Sequence, residues 1–199
     1  MTSTPSTRTR WIFAALFTLI ALGSGSILAV NSSPGLRKEM RALATHTAGS
    51  TFEKTAEHGY IATGDVVELT DDGFPALANL DPALLDAVRD AAAAAEDEGE
   101  HLSVTSGWRS AAYQQWLLDQ AVAKYGSADE AAKWVSTPDT SRHVSGKAID
   151  IGPFDATLWM QGNAPRFGLC QIYSNETWHY ELASAYGGDC PLLRENAAG

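Results

Sequence analysis

The chain has 199 residues, 45% of them hydrophobic and 19% charged, which suits one well-filled core with attachments rather than a string of domains. Its formal net charge of -10 excludes a broad nucleic-acid surface, because phosphate binding is driven by clustered Lys and Arg. No internal repeat breaks the chain into smaller units.

The first element is apolar. After MTSTPSTRTR, residues 11–30 run without a charge, a length that spans a bilayer. The run reads as a transmembrane anchor behind a cytoplasmic stretch, 1–10. A removed signal peptide is the alternative, since residues 23–26 are small, although Ile27-x-Ala29 is a poor cleavage pattern. Charge leaves orientation open, because Arg37, Lys38 and Arg41 oppose the pull of Arg8 and Arg10. Either way the chain enters the export machinery. The expected location is the cell membrane, single-pass with the remainder outside, or the exterior if the segment is cleaved. Residues 31–50 mix Ser, Gly, Pro and charge and read as a tether, with a short helical possibility around 37–44.

A globular domain is expected over 51–194. DVVEL, 65–69, reads as a short strand before the turn DDG. Asp81 is a good N-cap and Pro82 a good first residue for a helix running to Gly99, with Leu84, Leu85, Val88, Ala91, Ala92 and Ala95 on its apolar face. HLSVT, 101–105, turns Leu102 and Val104 inward as a core strand and ends in SGWRS. A helix follows over about 110–125 with Tyr113, Trp116, Leu117 and Ala121 buried, stopped by Gly126. Ser127 and Glu130 form a capping box for a third helix through Trp134. A helix near 155–161 and two short strands near 171–174 and 178–182 complete the pattern. Strands and helices mix without βαβ regularity, so the fold class is α+β, a small antiparallel sheet with helices packed around it.

Two segments carry chemistry. In SRHVSGKAID, Ser145, Gly146 and Lys147 compose a turn, so that His143 leaves one strand and residues 148–151 return on the next. Ile149 and Ile151 then face the core while Ala148 and Asp150 face the other way. On these residues alone, His143 and Asp150 either share a structural hydrogen bond or ligate an ion together. The later Glu176-Thr177-Trp178-His179 adds a third donor. His143, Asp150 and His179 make a set that suits zinc and leaves a position for water, with Glu176 placed to take its proton. Trp178 by itself reads as a core aromatic. His46, His58 and His101 are not assigned to metal. The two cysteines, Cys170 and Cys190, are most simply a disulfide in an exported chain, the alternative being two buried thiols.

Ser141, His143, Gly146, Ala148 and Asp150 in the pattern S-x-H-x-x-G-x-A-x-D, followed by E-x-W-H at Glu176 to His179, resemble the VanY-type zinc D-alanyl-D-alanine carboxypeptidases. Their superfamily is shared with lysostaphin-like peptidases and the hedgehog signalling domain. SGWRS is similar to the family's S-G-Y-R-S, with Trp108 in place of Tyr and Gln114 matching the Gln five residues after its Arg. Thr177 stands where the family often has Pro. The similarity covers about residues 55–185. It implies one zinc ion on His143, Asp150 and His179, Glu176 as general base and then acid, and Arg109 as a catalytic and substrate-binding cation. Ser141 and Gln114 are implied as further substrate contacts. The implied reaction removes the terminal D-alanine of peptidoglycan stem peptides outside the membrane, with the membrane and the stem peptide as partners. The alternatives are an endopeptidase with the same site, a non-catalytic zinc-containing wall-binding module, and an iron(II) site built on two His and one carboxylate. Glu176 argues against the last two.

Overall fold

Four short strands pair antiparallel in the order β1-β2-β4-β3. They are β1 (Ser103–Ser106), β2 (Ile149–Gly152), β3 (Leu169–Gln171) and β4 (His179–Leu182). The computed structural model describes residues 52–198. The apolar run 11–30, the tether 31–50 and His46 lie outside the described residues. Among the described residues no helix is long and apolar enough to cross a membrane.

The period of two along a strand gives the sheet two unlike faces. Val104, Ile149, Ile151, Leu169 and Tyr180 point into one apolar core. Asp150, His179 and Glu181 alternate with them and point the other way, and the register sets Asp150 opposite His179. On the outer pairing Ser103 meets Gly152 and Val104 meets Ile151, after which an irregularity lets Ser106 face Asp150.

Helices α1 (Pro75–Ala78), α2 (Pro82–Asp97) and α5 (Phe154–Asn163) seal the apolar face, while α3 (Ala111–Tyr125) and α4 (Ala128–Ala132) add nothing to that core cluster. The Asp81 carboxylate accepts from Ala83 N–H at 2.9 Å, which caps α2. Leu84, Val88, Ala91 and Ala95 of α2 are buried at helical spacing, against Ala156, Trp159 and Met160 of α5. The Trp159 indole N–H donates to Glu98 at 2.8 Å, which ties the end of α2 to α5. The Ser110 hydroxyl caps α3 by accepting from Tyr113 N–H, and Gly126 ends it in the left-handed conformation.

Several expectations need correction. Residues 65–69 make a single bridge, Val67 to Val104, rather than a strand, because turns on both sides take up the neighbouring backbone groups. His143 lies in a run of turns and not on a strand. Its carbonyl accepts from Gly146 and Arg109 N–H, and those bonds replace ladder pairing. The third helix stops at Ala132, two residues before Trp134. The first C-terminal strand spans Leu169–Gln171 rather than about 171–174, while the second, His179–Leu182, lies where expected. On α3, Gln114 is buried, whereas Trp116 and Leu117 are half-exposed. His58 is tied to the start of α3, its Nδ1 lying 2.9 Å from the Ser110 hydroxyl.

Cys170 and Cys190 form a disulfide at a sequence separation of 20. It closes a loop that contains β4 and Glu176. Reduction, or Cys190→Ser, should lower the melting temperature of the full chain, corresponding to about 3 kcal/mol in the chain-entropy account. An unchanged melting temperature would make the bridge irrelevant to stability.

Candidate metal centre

Two donors of the site come from facing strands and one from a turn. Asp150 on β2 and His179 on β4 are cross-strand partners. His143 arrives from the turn 141–147, which is pinned on two sides. Arg109 N–H donates to His143 O at 3.2 Å, and Asp81 N–H donates to Gly146 O at 2.8 Å. Gly146 has φ +69, and a Cβ there would stand 2.3 Å from Asn79 O, so no other residue fits this close approach.

The three donor atoms converge. His143 Nε2 and His179 Nδ1 are 3.2 Å apart, His179 Nδ1 and Asp150 Oδ1 are 3.2 Å apart, and His143 Nε2 and Asp150 Oδ1 are 3.4 Å apart. All three side chains are buried. An ion at zinc's bond lengths with tetrahedral angles needs donor separations of about 3.3 Å. The donor set therefore fits one such ion.

The outer nitrogens of both rings are committed elsewhere. His143 Nδ1–H donates to Gly107 O at 2.8 Å. Gly107 is held so tightly against α1 that a Cβ would lie 2.2 Å from Ala76 O. His179 Nε2–H donates to Glu181 Oε1 at 3.1 Å. These bonds commit the outer nitrogens and turn both inner nitrogens toward the Asp150 oxygen. Three donor atoms aimed at one point suit a cation, either a metal ion or the proton that His179 shares with Asp150 when no ion is bound.

Glu181 is the functional residue that the sequence reading missed. It is 1% exposed, and it also accepts from Arg142 Nε at 2.7 Å and from the Tyr186 hydroxyl at 2.9 Å. Strand alternation offered the signal, since a residue two places after a ligand lies on the ligand's face.

Arg109, Gln114, Ser141, Glu176 and Trp178 all line a cavity of about 510 Å³ that opens on the three donors. Arg109 is braced through all three nitrogens. Nε donates to the Ser106 hydroxyl at 2.8 Å, Nη1 to Gln114 Oε1 at 3.3 Å, and Nη2 to Asp150 Oδ2 at 2.9 Å. One N–H remains on each terminal nitrogen. Gln114 also donates to Ser136 O at 2.8 Å, so its amide holds Arg109 on one side and the α4 loop on the other. Trp178 is not a core aromatic; it is 39% exposed at the cavity wall.

Charge states follow from the packing. Burial alone would raise the Asp150 carboxyl, but His143, His179 and Arg109 hold it well below its usual range. Burial and Arg109 lower His143. For His179, burial opposes the charge, yet hydrogen bonds to Asp150 and Glu181 push it up to about 9. Glu176 goes the other way from Asp150. Burial lifts its carboxyl to about 7, and its Oε1 is buried without a hydrogen-bond partner among the described residues.

Comparison with known proteins identifies the arrangement. Residues 77–185 match the family model described as VanY: D-alanyl-D-alanine carboxypeptidase. The chain belongs to the VanY family. A D-alanyl-D-alanine carboxypeptidase of Enterococcus faecalis is 33% identical over 112 residues, 44% of this chain. The chain spans 42% of that relative's length. Two solved structures share the VanY fold, each with TM-score 0.51 and 25% identity. One is a mutant of the vancomycin resistance D,D-pentapeptidase VanY from a VanB-type cassette in complex with Zn(II), matched over 66% of this chain and 90% of that one. The other is VanYB in complex with D-alanine-D-alanine, matched over 71% and 87%. His143, Asp150 and His179 thus offer a VanY-type donor set for one zinc ion.

Two predictions follow from this geometry. Glu181→Gln should weaken zinc binding by about 10- to 100-fold, measured by competition with a chelating dye, because His179 loses its charged partner. An unchanged affinity would remove Glu181 from the site. The second concerns pH in metal-free protein. The folded state holds the Glu176 proton up to about 7, above the ordinary 4.5. Its stabilising share is therefore present below about 4.5 and lost as pH rises through 7. The melting temperature of Glu176→Gln minus that of wild type, both in chelator, should grow between pH 5 and pH 8; a constant difference would contradict the buried carboxyl.

Proposed function

We propose that the protein is a zinc-dependent D-alanyl-D-alanine carboxypeptidase that removes the terminal D-alanine of peptidoglycan stem peptides. The observation that carries the reading is the unpartnered, buried Glu176 oxygen in the same cavity as three converging metal donors. A pure binding module has no use for a carboxyl held near 7 beside the third donor.

Zinc on His143, Asp150 and His179 supplies Lewis-acid polarisation of a carbonyl and lowers the pKa of water to about 7. The chain's own groups do the rest. Glu176 takes the proton of the attacking water as its oxygen bonds the scissile carbon, and returns it to the nitrogen as the C–N bond breaks. Its burial and its unpartnered oxygen leave that carboxyl free to exchange a proton rather than hold a fixed bond. Arg109 offers its two remaining N–H groups to the carboxylate that ends the peptide or to the charge that develops on the carbonyl oxygen. Ser106, Gln114 and Asp150 hold that guanidinium in one orientation. Ser141 contacts the substrate at the cavity wall, and Gln114 acts mainly by aiming Arg109.

The site works on the outer side of a membrane, with residues 11–30 as anchor or removed signal. The uncharged run and the Cys170–Cys190 disulfide support that placement.

The full-length chain loaded with zinc should release D-alanine from a stem pentapeptide ending in D-Ala-D-Ala, and a chelator should abolish release. Glu176→Gln should keep one zinc per chain and lose about 10² to 10⁴ fold in turnover. Normal turnover in that variant would overturn the assignment of the base. No release by folded, zinc-loaded wild type would overturn the carboxypeptidase.

A further inference from the structure

Beyond residue 185, where the family match ends, the chain turns back onto the cavity. Cys190 ties its root to Cys170 on β3. Arg194 then runs parallel to Tyr173 as a bridge: its N–H donates to Ile172 O at 2.9 Å, and its carbonyl accepts from Ser174 N–H at 2.8 Å. The Ser174 hydroxyl donates to Glu195 O at 3.1 Å. Ala197 N–H reaches Lys133 O at 3.4 Å, the carbonyl that also accepts from the Asn175 amide at 3.2 Å. Ala197 packs on the small apolar cluster of Ile172, Tyr173 and Ala183, and it lines the cavity beside Glu176 and His179.

Segment 194–197 therefore bridges the turn that carries Glu176 and the end of α4. Four of its backbone groups, Arg194 N–H and O, Glu195 O and Ala197 N–H, are bonded along that path, which ties it down at both ends. At its inner surface Ala197 presents only a methyl group. The cavity it bounds, about 510 Å³, has room for one short peptide end.

We infer that segment 194–197 is a selectivity wall that restricts the site to unbranched peptides. The inference rests on the peptidase reading and adds to it a basis for choice among substrates. A peptide that carries a second chain on the residue before its last two needs more room along the cavity wall than a linear one, and Ala197 stands on that wall. Discrimination then comes from a built clash rather than from a contact made to the preferred substrate.

Binding tests the wall separately from turnover. In zinc-loaded full-length chain carrying Glu176→Gln, calorimetry would compare a linear stem pentapeptide ending in D-Ala-D-Ala with the same peptide bearing a second stem on its third residue. The linear peptide should bind about tenfold or more tightly. Truncation before Arg194 should bring the two affinities to within about twofold, chiefly by improving the branched one. Ala197→Trp keeps every backbone bond of the wall and should weaken the linear peptide by about tenfold at one zinc per chain. Equal affinities in the intact chain, a ratio unmoved by truncation, or an inert Ala197→Trp would overturn the wall; binding of neither peptide would do the same. Absence of D-alanine release from wild type, with discrimination in binding intact, would fail the hydrolytic reading alone.

Discussion

The centre depends on one cross-strand pair. Asp150 and His179 face each other because β2 and β4 are antiparallel in that register, and the register is held by Ile149, Ile151 and Tyr180 on the opposite face. A slip of β2 by one residue would send its isoleucines into the polar cavity and Asp150 into the core. Packing of apolar side chains thus fixes the separation of two metal donors with no help from the donors themselves. The third donor, from a turn, needs its own restraints, and the bonds to Arg109 N–H, Gly107 O and Asp81 N–H supply them.

Three carboxylates within this small volume behave differently. Asp150 and Glu181 are each met by cationic or donating groups that keep them ionised despite burial. Glu176 is left with burial as its largest influence and holds its proton to about 7. The contrast follows from their partners, since two of the groups are met by cations or donors and the third is not. Arg109 links the two kinds of group, since it touches the outer oxygen of Asp150 and also lines the cavity in which Glu176 sits.

Much of this was legible in the chain. The grouping of His143, Asp150 and His179, the inward isoleucines around Asp150, the capped α2 and α3 and the Cys170–Cys190 pair all follow from local chemistry: period, caps, spacing and cysteine number. What escaped was set by tertiary pairing. The strand expected at 65–69 had the right composition, but only Val67 finds a partner. His143 looked like a strand end, yet its carbonyl is drawn to Arg109 and Gly146. Trp178 had the composition of core and the position of a rim, and only packing separates the two. The segment after Cys190 carried no motif, and its relation to the cavity comes from backbone bonds that residue types do not encode.

The face of α2 that meets the sheet ends in Ala91 and Ala95, both fully buried in the same cluster as Ile149 and Ile151. Alanine has no side-chain torsion with which to absorb a misfit, so the spacing between that helix and the strands is set nearly backbone to backbone. The layer acts as a gauge block behind the metal donors. A neighbouring lattice of leucines could yield by rotamer changes, whereas a methylene added at Ala91 or Ala95 must displace whatever core group abuts it. Two small residues of α2 thereby set how closely that helix packs into the core beneath the sheet.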